Sequence, residues 1–314
     1  MIQGNDSAIM EFMLLGISEK PELQSPLFFI FLIVFILILM VNFLVIITTA
    51  CDPVLSTPMY FFLRNLAFME ICYTSVTIPK MLINLILKKK TISFVGCGVQ
   101  FYFFLFLGTA LCYILAVMAY DRYVAICNPL QYAAFMSRKV CILLVSGCWV
   151  IGISVSLRQV ALVFSMPFCG SKIINHFFCD APPLFRLLCS GISMNKVEIV
   201  LTSILIIIIP FSLIFFSYIR IITTILRIQS VDGRSKAINT CSSHLISVSL
   251  FYGSAIFVYL RPNSSNTPGA NKLLSLFYTV TPAILNPIIY SLRNHQVKGA
   301  LRKLLGGKIA PQNT

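Results

Sequence analysis

Long apolar runs set the strongest limit on how this chain can fold. A helix of about 20 apolar residues crosses a hydrocarbon core of roughly 30 Å, and lipid gives an open backbone no hydrogen-bond partners, so each run must be helical. The sequence therefore predicts an all-α integral membrane protein, a seven-transmembrane helix bundle. The predicted spans lie near residues 26–50, 58–86, 95–120, 141–163, 197–222, 238–260 and 271–292.

Charge is too sparse for a water-soluble domain. Charged residues make up 11% of the chain and the mean hydropathy is +0.90, whereas soluble domains carry roughly 25% charged residues. The formal net charge of +14 is spread over short loops without forming a continuous basic stripe. We therefore predict membrane lipid head groups, and no nucleic acid, as partners of the basic residues.

The topology divides the chain into three parts. We expect residues 1–25 to be an extracellular N-terminus, 26–292 the membrane bundle and 293–314 a cytoplasmic tail. The sequon at Asn5 can be glycosylated only on the lumenal side, and it favours the expected orientation, a multi-pass plasma-membrane protein with its N-terminus outside and its C-terminus in the cytoplasm. The apolar face of the tail, which includes Val297, predicts an amphipathic helix in the membrane interface.

Four of the eleven cysteines lie in or beside the predicted outer loops, where disulfides form. Four cysteines allow three pairings, and the sequence alone leaves the choice open. They are Cys97, Cys169, Cys179 and Cys189.

Two motifs mark the inner ends of spans. Asp121-Arg122-Tyr123 ends the third span, where an ionisable pair is either an interfacial anchor or functional. Pro287 interrupts the seventh span and removes a backbone hydrogen bond. We expect the preceding Asn286 to supply a partner for the freed groups, with Tyr290 one turn further along the helix.

Together these motifs resemble the olfactory receptor family of the rhodopsin-like G-protein-coupled receptors. Residues 57–63, 118–130, 217–218, 236–245 and 287–294 carry the resemblance, which extends from about residue 10 to 303. It implies an odorant receptor that binds a small, mostly apolar neutral ligand within the bundle. It also implies activation of a stimulatory, olfactory-type heterotrimeric G protein that raises cyclic AMP, with no enzymatic activity.

The resemblance also implies roles for individual residues. It pairs Cys97 with Cys179 and Cys169 with Cys189. In the resting state Asp121 would restrain Arg122, and in the active state Tyr218 and His244 would hold the rearranged inner ends. The base of the sixth span offers Arg234 and Lys236 where many rhodopsin-like receptors have an acid, so Arg122 must be held differently. The expected switch residues are Asp121, Arg122, Tyr123, Tyr218, His244, Asn286, Pro287 and Tyr290.

The resemblance places a ligand pocket between the outer halves of the third, fifth, sixth and seventh spans, with Tyr252 as a toggle beneath the ligand. None of the expected lining residues is charged, which suits a neutral ligand held by apolar contact and one or two hydrogen bonds. They are Phe104, Leu105, Gly108, Thr109, Thr202, Ile206, Tyr252, Ala255, Tyr259 and Thr279.

Glu70 is the only carboxylate deep within a span, and burying it as an uncompensated charge is costly. The resemblance implies a sodium site with Asn42 and Asn286 nearby; the alternative is a neutral, hydrogen-bonded Glu70. Apart from this possible sodium ion, we predict no cofactor and no metal site.

Two other functions compete with odorant sensing. A receptor of the same fold for a lipid-like ligand would have a similar apolar pocket. A transporter or channel would need polar groups along a continuous path, and the spans offer few besides Glu70, Arg122 and His244.

Overall fold

The computed structural model describes residues 10–18, 20–87, 89–169, 172–189, 197–198, 201–259, 268–292 and 295–304. Seven long helices form the bundle and correspond to the seven predicted spans. They are α1 (Pro21–Cys51), α2 (Pro58–Ile86), α3 (Phe94–Cys127), α4 (Arg138–Ser165), α5 (Leu201–Arg227), α6 (Val231–Tyr259) and α7 (Pro268–Leu292).

Six stretches within the described helices are long and apolar enough to cross a membrane, and they belong to α1, α2, α3, α4, α5 and α7. α6 has comparable length but is more polar, with Asp232 in its first turn and His244 in its middle. In the bundle α6 packs against α3, α5 and α7. The six apolar helices and α6 together give the predicted all-α bundle.

The helix ends differ most from prediction on one side of the membrane. α3 continues beyond residue 120 to Cys127, and α6 begins at Val231 rather than near 238. The physical reason is that hydropathy marks where a helix leaves lipid, whereas helical hydrogen bonds continue into the polar interface. We call this side the Arg122 end.

α3 lies at the centre and packs against α2, α4, α5 and α6. Its approach to α4 depends on Gly152, where an added Cβ would lie 2.8 Å from the backbone oxygen of Phe106 and 2.9 Å from its ring. No side chain can occupy that space without moving a helix backbone. Gly147, on the same helix, has nothing within 4 Å of the corresponding position.

The proline in α7 is compensated from another helix. Pro287 has no N–H to donate to the carbonyl of Ala283, four residues earlier. The side-chain Nδ2 of Asn42 on α1 donates to that carbonyl at 2.9 Å. The expectation that Asn286 would do so is therefore wrong: Asn286 Nδ2 donates to Glu70 on α2. A local partner fails here because the freed carbonyl faces α1.

α5 contains a second irregularity. Residues Ile204–Ile208 form a π-helical turn just before Pro210, which opens the regular α-helix. The hydroxyl of Tyr113 on α3 donates to the carbonyl of Leu205 in this turn at 2.9 Å. Side chains from neighbouring helices commonly satisfy backbone groups that such breaks leave open in membrane helices.

A small sheet and both disulfides lie at the other end of the bundle, which we call the disulfide end. Strand β1 (Glu11–Leu14) pairs antiparallel with β2 (Thr91–Ser93) and parallel with β3 (Ile173–Ile174). Cys97 is bonded to Cys179, and Cys169 to Cys189, the pairing that the resemblance implies. Phe12 and Leu14 of β1 are buried in the same apolar cluster as Cys97 and Cys179.

The tail helix α8 (His295–Leu304) follows α7. Val297 and Ala300 on its apolar face are buried, and the helix contacts both α1 and α7. This agrees with the amphipathic helix expected in the tail. Asn5 and Asn263, each of which begins a glycosylation sequon in the sequence, lie outside the described residues.

His176, in the loop between β3 and Cys179, is 3% exposed. Its ring stacks on Phe177 with 4.6 Å between centroids, and Nδ1 accepts a hydrogen bond from the Phe178 N–H at 3.4 Å. Burial lowers the pKa of His176 to about 3, and the positive charge of Lys272 acts in the same direction. The imidazole is therefore neutral at physiological pH.

We predict that Gly152→Ala lowers the free energy of unfolding, with overpacking costs of typically about 1–3 kcal/mol. Its surface delivery in transfected cells and its melting temperature after purification should both fall. Gly147→Ala is the matched control and should equal the wild type or slightly exceed it, because alanine is the better helix former. Equal behaviour of the two variants would show that α3 and α4 are not in close contact at Gly152.

Acid should destabilise the disulfide end through His176. Its folded-state pKa lies below the unfolded value of roughly 6.5, so stability is complete above that value and is lost as the pH falls towards 3. Between pH 6.5 and 5 the loss should reach about 2 kcal/mol, read as a falling melting temperature. His176→Asn retains an acceptor near Nδ1 but gains no proton, so its melting temperature should depend less on pH. An identical pH profile for both proteins would contradict this role.

Candidate functional site: a buried cavity and its contacts

The helices of the bundle line a cavity of about 80 Å³ towards the disulfide end. This volume is small beside the roughly 300–1,000 Å³ typical of drug-sized sites. None of the lining side chains carries a formal charge, and most are apolar. The lining residues are Tyr73, Phe104, Leu105, Gly108, Thr109, Cys112, Gln159, Ala181, Phe185, Thr202, Ser203, Ile206, Ile207, Phe251, Ala255 and Tyr278.

Most of the expected ligand-binding residues meet at this cavity, although their contact with a ligand stays a prediction. Those that line it are Phe104, Leu105, Gly108, Thr109, Thr202, Ile206 and Ala255.

Two expected residues do not line the cavity, and one cannot be placed. Tyr252 is buried behind it, where its hydroxyl donates to the Cys112 carbonyl at 2.9 Å. Thr279 is also buried, and its hydroxyl donates to the Ser275 carbonyl of its own helix at 2.7 Å. Both hydroxyl groups therefore donate to helix backbone carbonyls. The side chain of Tyr259 lies outside the described part of the chain.

Sequence reasoning missed the part of the lining that comes from a loop. Asp180 begins a short helix, Ala181–Phe185, by accepting a hydrogen bond from the Ala181 N–H at 2.7 Å. Ala181 and Phe185 of this helix close the cavity. No periodicity in the sequence shows that a loop folds inward over the bundle.

Three contacts from two helices hold the residues just before this short helix. Cys179 is bonded to Cys97, and its N–H donates to Gln100 Oε1 on α3 at 3.1 Å. Asp180 Oδ2 accepts a hydrogen bond from the Tyr278 hydroxyl on α7 at 3.1 Å. The lid of the cavity is therefore anchored to both α3 and α7.

One edge of the cavity is polar. Arg158 on α4 forms an ion pair with Glu198, with 2.7 Å between Nη2 and Oε1, and also donates to the Thr202 hydroxyl at 3.1 Å. Thr202 in turn donates to Gln159 Oε1 at 2.7 Å. The sequence did offer one signal for Gln159: an amide within an apolar span.

A second polar group joins α1, α2 and α7 between the cavity and the Arg122 end. Asn286 donates to Glu70, and Asn42 donates to the α7 backbone. Three buried oxygens here have no hydrogen-bond partner among the described residues: Asn42 Oδ1, Glu70 Oε2 and Asn286 Oδ1. No cluster of three or more His, Cys, Asp or Glu suited to a metal occurs in the described ranges.

At the Arg122 end, three helices meet through neutral groups. His244 on α6 contacts the Leu115 carbonyl of α3 through Nε2 at 3.1 Å and the Tyr218 hydroxyl of α5 through Nδ1 at 2.9 Å. A carbonyl can only accept, so Nε2 carries the proton and Tyr218 donates to Nδ1. We call this arrangement the His244 clasp.

The restraint of Arg122 by Asp121 stays a prediction: the positive charge of Arg122 acts on the Asp121 carboxylate, but the hydrogen bond of that carboxylate is made elsewhere. Asp121 accepts a hydrogen bond from the Tyr132 hydroxyl at 2.8 Å, and within the described ranges no ion pair joins it to Arg122. Neighbouring residues on a helix point in different directions, which separates the two side chains. Arg122 is 7% exposed, its Nε is unpaired, and it lies beside Tyr123 near the end of α3.

Pro287 and Tyr290 lie in the last turns of α7. Tyr290 is 7% exposed and points into the bundle. Pro287 opens the α7 ladder at the carbonyl that Asn42 satisfies. Of the expected switch residues, Tyr218 and His244 form the His244 clasp and Asp121 contacts Tyr132. Asn286 and Pro287 lie where α7 meets α2 and α1.

Comparisons with known proteins agree with this architecture. The family model described as "Olfactory receptor" matches residues 31–308. The chain is 50% identical to human olfactory receptor 10A7 over 98% of each chain, and 49% identical to human olfactory receptor 10C1 over 97% of each. The crystal structure of squid rhodopsin superposes with a TM-score of 0.71 at 21% identity, covering 91% of this chain and 86% of that one, and so supports the fold. This chain belongs to the olfactory receptor family, whose members are odorant-sensing G-protein-coupled receptors and not enzymes.

Proposed function

We propose that this receptor binds a small, neutral, mostly apolar volatile ligand in the described cavity and activates a stimulatory, olfactory-type G protein that raises cyclic AMP. The cavity between the helices, with no charged lining side chain, is the observation that carries the proposal. A buried apolar site desolvates amines and carboxylates without offering a counter-ion. We therefore expect both classes to be poor agonists.

The contacts between α3 and α6 offer a route from ligand to G protein. Phe251 and Cys112 line the cavity, and the neighbouring Tyr252 donates to the Cys112 carbonyl. Further along the same two helices, His244 contacts the Leu115 carbonyl. A ligand that moves Phe251 would therefore act on the helix pair that the His244 clasp joins.

The G protein would bind at the Arg122 end, which we place in the cytoplasm. Arg122 supports this role because its guanidinium is buried without an ion-pair partner among the described residues. The disulfide end would then be extracellular, since disulfides persist in oxidising compartments. This orientation implies a plasma-membrane receptor whose N-terminus can be glycosylated at Asn5.

A sodium ion beside Glu70 fits the polar group between α1, α2 and α7. Sodium needs oxygen ligands, and the unpaired atoms of Asn42, Glu70 and Asn286 are all oxygens. Bound there, the ion would neutralise a buried carboxylate. A protonated Glu70 that is hydrogen-bonded to Asn286 is the alternative.

The direct test is a cyclic AMP assay in transfected cells, with a panel of alcohols, ketones, esters, hydrocarbons, amines and carboxylates. We expect responses to neutral members at concentrations on the order of 100 μM, because about ten heavy atoms at roughly 0.5 kcal/mol each supply only about 5 kcal/mol. A consistent preference for charged ligands would overturn the proposed pocket.

Filling the cavity should abolish ligand responses. Gly108 lines it, and an added Cβ would meet only Tyr73, at 3.5 Å, so Gly108→Leu should fold but occupy ligand space. We expect at least a tenfold loss of potency for every agonist. Gly253→Leu is the control, because Gly253 is exposed with nothing within 4 Å. Unchanged potency in Gly108→Leu would place the ligand elsewhere.

Arg122→Ala should eliminate ligand-evoked cyclic AMP while surface levels stay within about twofold of the wild type. The reason is that Arg122 forms no ion pair in the described structure whose loss would unfold the bundle. Arg138→Ala, which changes an exposed arginine at the same end, should signal normally. Full signalling by Arg122→Ala would show that Arg122 is only an interfacial anchor.

A further inference from the structure

The polar edge of the cavity contains a buried amide. Gln159 on α4 is 1% exposed and lines the cavity. Its Oε1 accepts the proton of the Thr202 hydroxyl at 2.7 Å. A primary amide has both a carbonyl oxygen and an NH₂ group, so the two ends of the side chain can act separately.

The direction of the Thr202 hydrogen bond follows from Arg158. Arginine can only donate, so the Thr202 oxygen accepts from Arg158 Nη2 and must give its own proton elsewhere. Gln159 Oε1, at 2.7 Å, is closer than Glu198 Oε1, at 3.3 Å. The chain from Arg158 through Thr202 to Gln159 therefore fixes the amide with its oxygen towards Thr202.

This orientation leaves the NH₂ group of Gln159 available. Within the part of the chain that the structure describes, Gln159 is bonded through Oε1, which accepts from Thr202, and Nε2 keeps its capacity to donate to a polar atom in the cavity. Two lining hydroxyls are already committed: Thr109 donates to the Leu105 carbonyl and Tyr278 to Asp180. Ser203 also lines the cavity with a hydroxyl, but among the described contacts neither Arg158 nor Glu198 binds it.

We propose that Gln159 Nε2 is the specificity-determining donor of this pocket and that it recognises the carbonyl oxygen of a ketone, aldehyde or ester. Arg158 and Glu198 act through Thr202 as positioning residues. The proposal rests on the proposed function, and it deepens it by naming the chemical class that the pocket prefers. Thr202, expected from the sequence to contact the ligand directly, orients Gln159 instead.

The test compares ketones, esters, alcohols and hydrocarbons that share carbon skeletons of about five to eight carbons in the cyclic AMP assay. The readout is the ratio of half-maximal concentrations between hydrocarbon and ketone within each variant, which largely cancels differences in receptor number. One hydrogen bond corresponds to roughly fivefold, so the wild type should favour the ketone by about that factor. Surface delivery is measured in parallel with an N-terminal epitope tag.

Three variants separate the contribution of the Gln159 side chain to ketone recognition from that of the Ser203 hydroxyl. Gln159→Met keeps the length of the side chain but removes both polar ends, and Gln159→Leu removes both polar ends with a shorter, branched side chain. In both, the ratio should fall to about one while the potency of the hydrocarbon stays within about threefold. Ser203→Ala is the matched control and should retain the wild-type ratio.

Several outcomes would overturn the proposal. If the ratio stays at the wild-type value in both Gln159 variants, or falls to about one only in Ser203→Ala, the hydrogen-bond donor is another group. A wild type that prefers alcohols to ketones, with the preference lost in Gln159→Met, would mean that the amide oxygen faces the ligand. Because the wild-type preference is itself a readout, poor folding of a variant does not remove the test. Failure of the proposed function is distinguishable, since the wild type would then respond to no member of the panel.

Discussion

The hydrocarbon core offers no hydrogen-bond partner to a peptide group. Several hydrogen bonds between the helices of this bundle follow from that constraint. Pro287 breaks the α7 ladder at the Ala283 carbonyl, and Asn42 on α1 replaces the missing N–H. The π-helical turn of α5 exposes the Leu205 carbonyl, and Tyr113 on α3 satisfies it. Each local break in a helix thus becomes a specific contact between two helices, α1 with α7 and α3 with α5.

The same constraint decides where polar side chains can be free. Tyr252 and Thr279 look like pocket residues in the sequence, but each gives its hydroxyl proton to a helix carbonyl. Gln159 differs because Thr202 already satisfies its oxygen, and Thr202 is in turn held by the half-exposed Arg158. A free donor in an apolar cavity therefore depends on an ion pair at the cavity's edge.

The sequence predicts the bundle well because span length and apolar composition are one-dimensional properties. The seven spans, the amphipathic tail helix and the cluster of outer cysteines all follow from them. Contacts between segments that are far apart in the chain do not follow from span length or composition. Three features depend instead on which side chains face each other in space. They are the inward-folded Ala181–Phe185 helix, the choice of Asn42 over Asn286 as partner of α7, and the Asp121–Tyr132 contact. Motifs indicated that these residues matter, but not what they touch.

The neutral character of the His244 clasp fits the small energy that a volatile ligand can supply. A ligand shifts a conformational equilibrium only by the difference in its affinity for the two states, and the total for about ten heavy atoms is only some 5 kcal/mol. The clasp joins Tyr218, His244 and the Leu115 carbonyl without a formal charge, and such bonds contribute roughly 1 kcal/mol each. A charge-assisted hydrogen bond in the same place would be about twice as strong. The base of α6 carries Asp232 and Arg234, and among the described residues no ion pair joins either of them to α3. Weak, neutral contacts therefore hold α3, α5 and α6 together, within the range that a weak ligand can rearrange.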